Sequence, residues 1–172
     1  MRKILPIAVL TGIILVLASC TESLPRRFEA FVSSVEEDCS FLSYEEGYWM
    51  EKDRRFKILY DEYMSKRSSF SSEEKRDLNA AIARYEYRRI NSFVSYVEEN
   101  ASELSEDDWL GLNERFLEMA REYKENRHAY NSTEKRRIDS AILHYCGIVI
   151  RSKIPGITDK IRSILRELSL AL

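Results

Sequence analysis

Glycine and proline are scarce in this chain of 172 residues, five and three in number, and neither occurs between Gly47 and Gly111. So little glycine excludes a Gly-rich phosphate loop. The same scarcity, with Glu, Lys, Arg, Leu and Ala plentiful, predicts an almost wholly helical chain. Histidine is rarer still: His128 and His144 are two in all, and no HExxH pattern occurs. Three cysteines, Cys20, Cys39 and Cys146, form no closely spaced pair of the zinc-ligating kind. Neither sign of charge dominates, with 27 Lys and Arg against 29 Asp and Glu. That balance gives no basis for nucleic-acid binding, which needs a basic surface.

The long apolar run that does occur lies at the start. Arg2 and Lys3 precede an apolar stretch from Ile4 to Ala18, and small residues follow. This is the three-part pattern of a secretory leader. The stretch is short for a bilayer span of about 20 residues, and Pro6 and Gly12 weaken it as a permanent helix. The four residues spanning its end, Leu17-Ala18-Ser19-Cys20, resemble the lipobox of bacterial lipoproteins. The resemblance implies cleavage between Ser19 and Cys20, a diacylglyceryl thioether on Cys20 and acylation of the new amino terminus. Several acyl chains, each CH2 contributing about 0.8 kcal/mol, make such an anchor effectively permanent. Thr21, rather than Asp, follows the cysteine; the family's sorting rule then points to the outer membrane. Residues 1–19 are thus expected to be a signal peptide and 20–27 a lipidated tether.

The rest of the chain carries an internal repeat, the first thing to seek in a helical sequence. Phe31-Val32-Ser33-Ser34-Val35-Glu36-Glu37 recurs as Phe93-Val94-Ser95-Tyr96-Val97-Glu98-Glu99. After a two-residue deletion the register resumes, with Trp49 on Trp109, Arg55-Phe56 on Arg115-Phe116, Tyr63 on Tyr123, Arg67 on Arg127 and Tyr85 on Tyr145. The expected domains are a first three-helix repeat over 28–89 and a second over 90–152. Apolar residues at three- and four-residue steps give each copy three amphipathic helices. Ser43 with Glu46, Ser71 with Glu74, Ser105 with Asp108 and Asn131 with Glu134 have the spacing of reciprocal N-terminal caps.

No breaker separates the third helix of the first copy from the first helix of the second, so residues 72 to 104 are expected to form one helix. The predicted fold is all-α: two tandem antiparallel three-helix bundles sharing this long central helix and placed end to end, plus a C-terminal amphipathic helix over 155–172. In that last helix Ile157, Ile161, Ile164, Leu165 and Leu168 form an apolar stripe that aligns with the first-helix pattern. Packing back on the second copy, binding a protein partner or a second copy of the chain, and lying on the bilayer are its three possible fates.

No residue set announces catalysis or a metal, and no cofactor is expected. The matched Trp and Tyr residues have core spacing. Glu36-Glu37, Glu73-Glu74 and Glu98-Glu99 fall on polar faces, and His128 and His144 read as surface residues. The end-to-end layout keeps Cys39 and Cys146 apart, which predicts two unpaired, largely buried thiols. Arg67 and Arg127, each at the end of a second helix, favour the helix dipole there.

Taken whole, the chain resembles the small uncharacterised helical lipoproteins of Bacteroidales type, in which a lipobox precedes Phe-Val-x-x-Val-Glu-Glu and Ser-x-x-Asp/Glu-x-Trp units; Ser105-Glu106-Asp107-Asp108-Trp109 is the second of these here. The expected function is a non-enzymatic helical protein-interaction module in the cell envelope, bound to membrane lipid through Cys20, with a protein partner or itself as ligand. Two alternatives stand beside it. One is an envelope-stress or chaperone-like protein that shields apolar segments, which needs a concave apolar surface. The other is an enzyme acting on cell wall or glycan, which needs a cleft holding two close carboxylates.

Overall fold

The computed structural model describes residues 22–38, 44–152, 154 and 156–170. Among these residues the chain is all-helical, without strands. Its helices are α1 (Leu24–Asp38), α2 (Glu46–Ser65), α3 (Ser72–Asn100), α4 (Glu106–Asn126), α5 (Ser132–Ser152) and α6 (Ile157–Leu168). Short 3₁₀ turns, Arg67–Ser69 and Arg127–Ala129, follow α2 and α4. No described helix is long and apolar enough to cross a membrane.

Helix starts follow the local chemistry. Ser71 accepts from the backbone N–H of Glu74 while the Glu74 carboxylate accepts from that of Ser71, and Ser105 with Asp108 repeats the arrangement. Asn131 Oδ1 accepts from Thr133 and Glu134, and Glu134 accepts in return from the Asn131 N–H at 2.8 Å. The fourth expected cap is different. Ser43 lies outside the described residues, and α2 starts at Glu46 from an extended Glu45 that makes no side-chain cap. Glu46 instead reaches Arg115 of α4 at 2.5 Å.

With 29 residues and no internal Gly or Pro, α3 extends about 44 Å as the single central helix. The predicted boundary after residue 89 therefore falls inside a helix. Its neighbours lie at its sides. On one flank Glu29 and Glu36 of α1 meet Arg84 and Arg88; on the other, Phe93 and Glu98 meet Tyr145 and His144 of α5. Glu29 and Glu36 meet α3 in rising order, and Arg84 and Glu98 face Glu134 and His144 of α5 in rising order, so α1, α3 and α5 run in one direction. The opposite direction is taken by α2 and α4, whose Glu46–Arg115 and Tyr60–Asn126 contacts set them side by side. Beside α4 lies α6, with Lys124 2.8 Å from Glu167 near the C-terminal ends of both.

The aromatic core repeats with the sequence. Phe56 stacks on Tyr85 with ring centroids 4.2 Å apart, and the counterpart Phe116 stacks on Tyr145 at 3.7 Å. Phe31 and Phe93 close the same two stacks at 5.4 and 5.9 Å. Buried side chains from Leu24 to Leu168 nevertheless form one continuous cluster, not two sealed cores, because α3 contributes to both stacks.

The expected likeness of α6 to a first helix is not its structural role. Chain direction explains this: α5 ends at Ser152, and Gly156, with φ of 75°, begins α6 in the left-handed region that glycine tolerates. The chain doubles back, and α6 becomes the third member of the layer formed by α2 and α4.

Candidate functional site

Polar side chains concentrate where α2 and α4 meet α3. Arg89 of α3 binds Asp53 of α2 at 2.9 Å and Glu122 of α4 through the other end of its guanidinium. Asp53 also accepts from the Tyr85 hydroxyl at 2.5 Å. Arginine suits this position because its planar fork can hold two carboxylates at once. One turn earlier, Glu86 is only 5% exposed. Its Oε1 accepts from Asn126 Nδ2 at 2.8 Å, and Asn126 Oδ1 accepts from the Tyr60 hydroxyl at 2.8 Å. The Tyr130 hydroxyl faces the same carboxylate, without well-aligned hydrogen-bond geometry. Burial pushes the Glu86 carboxyl up to about 7, against the opposing pull of Asn126.

These groups are turned toward one another. Arg89 and Glu86 tie α2, α3 and the end of α4 together, which makes the cluster a latch between the repeated units. A pocket of about 230 Å³ lies beside it, lined by Tyr60, Arg67, Asn79, His128 and Tyr130 among others. The second copy's counterpart of this pocket's arginine is internally satisfied: Arg127 holds Asp139 at 2.9 Å and the Tyr123 hydroxyl at 3.1 Å. Arg127 is thus fixed by an ion pair and a hydrogen bond as well as by the helix dipole.

The latch has no full copy in the second unit. Asp53, Tyr85 and Arg89 align with Asn113, Tyr145 and Val149. Asn113 and Tyr145 are buried, and among the described residues neither the Asn113 amide nor the Tyr145 hydroxyl has a hydrogen-bond partner.

Sequence-predicted sites fall as follows. Ser19 and Cys20, the expected cleavage and lipidation residues, lie outside the described residues, as does Cys39. Ile157, Ile161, Ile164, Leu165 and Leu168 are each at most 4% exposed, covered by α4 and α5. The stripe offered as a partner surface is therefore spent inside the chain, because only burial against its own neighbours removes so much apolar area from water. Cys146 is buried and free, with its thiol pushed by burial up to about 12. His128 and His144 are exposed, His144 beside Glu98 at 3.0 Å. Among the described residues no cluster of His, Cys, Asp and Glu has the makings of a metal site.

Arg89 and Glu86 were not among the sequence candidates. A signal for Glu86 does exist: it stands between Ile82 and Ile90 at four-residue steps, in the apolar stripe itself. No protein-family model, curated protein or solved structure matches the chain.

Proposed function

We propose that this chain is a lipid-anchored, non-enzymatic helical interaction module of the bacterial cell envelope, held by Cys20 to membrane lipid, at the outer membrane in the sorting sense of Thr21. Its architecture on this reading is a duplicated three-helix unit whose copies share α3. The observation that carries the proposal is Leu17-Ala18-Ser19-Cys20 placed just ahead of a rigid helix. On this reading the tether of 20–27 takes in the first turn of α1, which begins at Leu24. Only Thr21, Glu22 and Ser23 intervene, about 13 Å of extended chain. The end of the molecule bearing the start of α1 also bears both 3₁₀ turns and the end of α6, so that end would stand close to the headgroups.

A scaffolding role is supported by the fate of the polar groups. Glu86 and Arg89, the most deeply placed charges of the described chain's central helix, are engaged with α2 and α4 and not open to a substrate. With the stripe of α6 covered, the apolar side chains left to solvent include Met50 and Ile58, each 60% exposed, and Met64. Steps of eight and six residues set them along the outer side of α2, a surface suited to a helical protein partner.

Two measurements test the reading. In cells, globomycin should leave the precursor uncleaved but still labelled by radioactive palmitate, and Cys20→Ala should leave it both uncleaved and unlabelled. Crosslinking in intact cells should recover a discrete envelope protein, or the chain itself, and Ile58→Glu should reduce that yield. A precursor processed normally in the presence of globomycin would refute the anchor.

A further inference from the structure

A shallow groove of about 530 Å³ runs between α3 and α5, on the side of α3 away from the latch. Asn91 lines it from α3; Thr133, Arg136, Arg137, Ser140 and His144 line it from α5. Arg136 and Arg137 are exposed, and neither enters an ion pair among the described residues; Arg136 Nε donates to the Ser132 carbonyl at 3.3 Å. No carboxylate is part of the lining. Two acids close by are engaged. Glu134 caps α5 through the Asn131 N–H, and Glu98 sits 3.0 Å from His144 at the far end of the groove.

The first copy shows what the same position holds when the chain neutralises it. The residues aligned with Asn91, Thr133 and Arg137 are Glu29, Glu73 and Asp77, all acidic, and Arg76 is aligned with Arg136. There Arg84 bridges to Glu29 at 2.5 Å, and Arg76 lies 3.6 Å from Glu73 and 3.7 Å from Asp77. Every cation of the first groove has a carboxylate beside it. In the second copy all three acids are gone, one of them replaced by a further arginine, and Ala80 has become the hydroxyl-bearing Ser140. A helix surface needs no such change for stability, since exposed ion pairs contribute little. What the change does create is a cradle of two guanidinium forks with hydroxyl and amide donors beside them, the donor set that fits the oxygens of a phosphate.

We propose that the α3–α5 groove binds a compact phosphate-type dianion, free or carried as a phosphomonoester on a lipid headgroup. Arg136 and Arg137 supply the charge, and Ser140, Thr133 and Asn91 supply neutral donors. The site does not depend on an anchor at Cys20.

The test uses the full chain in non-ionic detergent micelles and two probes, inorganic phosphate and mixed micelles carrying phosphatidic acid, each followed by calorimetry against a phosphatidylcholine control. The double variant Asn91→Glu/Arg137→Asp restores the acids of the first copy on an exposed face, and circular dichroism checks that it stays folded. It should bind about tenfold more weakly or worse, the loss of at least one charge-assisted contact. Arg76→Ala, the matching change in the first copy, should leave binding unaltered. Free phosphate bound by the parent and lost in the double variant supports a soluble ligand. Binding of phosphatidic acid alone, lost in the same variant, supports a headgroup. Equal binding by parent and double variant, or binding of neither probe by the parent, overturns the proposal.

Discussion

Asn126 Nδ2 donates to Glu86 Oε1 across 2.8 Å, joining the last residue of α4 to a buried carboxyl in the middle of α3. Glu86 carries its proton to about pH 7 in the folded chain, well above its ordinary value of 4.5. Between those two values the native state binds more protons than the unfolded one, so stability falls as pH rises through the window. The full effect is roughly 3 kcal/mol, reached above about pH 7 and absent below about pH 4.5. Glu86→Gln keeps the hydrogen bond and removes the charge. Urea titrations at pH 5 and pH 8 should show the parent losing stability between them and the variant losing much less; equal losses would disprove a native-state shift at Glu86.

Arg89 is the other fastener of the latch, with Asp53 and Glu122 at its two ends. Arg89→Met leaves two carboxylates without their cation. Breaking a fully buried pair costs about 3–5 kcal/mol. Here the cost should be lower, about 2 kcal/mol, because Glu122 is 48% exposed and can rehydrate. Arg89→Lys should recover only part of the loss, since a single ammonium cannot span both acids as a fork does. Urea midpoints of the three proteins provide the check.

How far the fold could be read from the sequence depends on which interaction decided each feature. Local chemistry was legible: the caps at Ser71, Ser105 and Asn131 and the unbroken α3 follow from neighbouring residues alone. Periodicity likewise put Phe56, Tyr85, Phe116 and Tyr145 inside. Lateral placement was not legible, because the apolar stripe of α3 reads the same whether its partners sit end to end or on either flank. Pairing such as Glu29–Arg84 and Glu46–Arg115 chooses between them, and these residues are 55 and 69 positions apart. The latch escaped for a related reason. Nothing near Arg89 in the sequence marks it, yet it reaches acids on two other helices that no local pattern can foretell.

Capping gives the least ambiguous energies in the molecule. Ser71→Ala and Ser105→Ala each remove an acceptor from an N-terminal N–H, at about 1 kcal/mol apiece. The two caps stand at opposite ends of the layered helices, since α3 begins where α2 ends and α4 begins where α3 ends. Their effects should therefore add within about 0.5 kcal/mol. Thermal denaturation of the two single variants and the double variant measures the sum, and a double variant no less stable than either single one would deny the caps their role.

Asn113 and Tyr145 offer a prediction of opposite sign. In the first copy the aligned pair, Asp53 and Tyr85, is hydrogen-bonded and anchored by Arg89. Val149 takes the place of that arginine in the second copy, and among the described residues the amide and hydroxyl are left buried without partners. Each such group carries a desolvation cost of about 1–3 kcal/mol. Replacing both by apolar groups of like shape removes that cost while keeping the volume that packs against Phe116. Asn113→Leu with Tyr145→Phe should thus raise stability by about 1–2 kcal/mol, an increase of roughly 2–8 °C in the melting temperature of a domain this size. Asn113→Asp should do the reverse, because it introduces an acid where no cation waits. A double apolar variant that melts below the parent would mean these two polar groups are satisfied in solution.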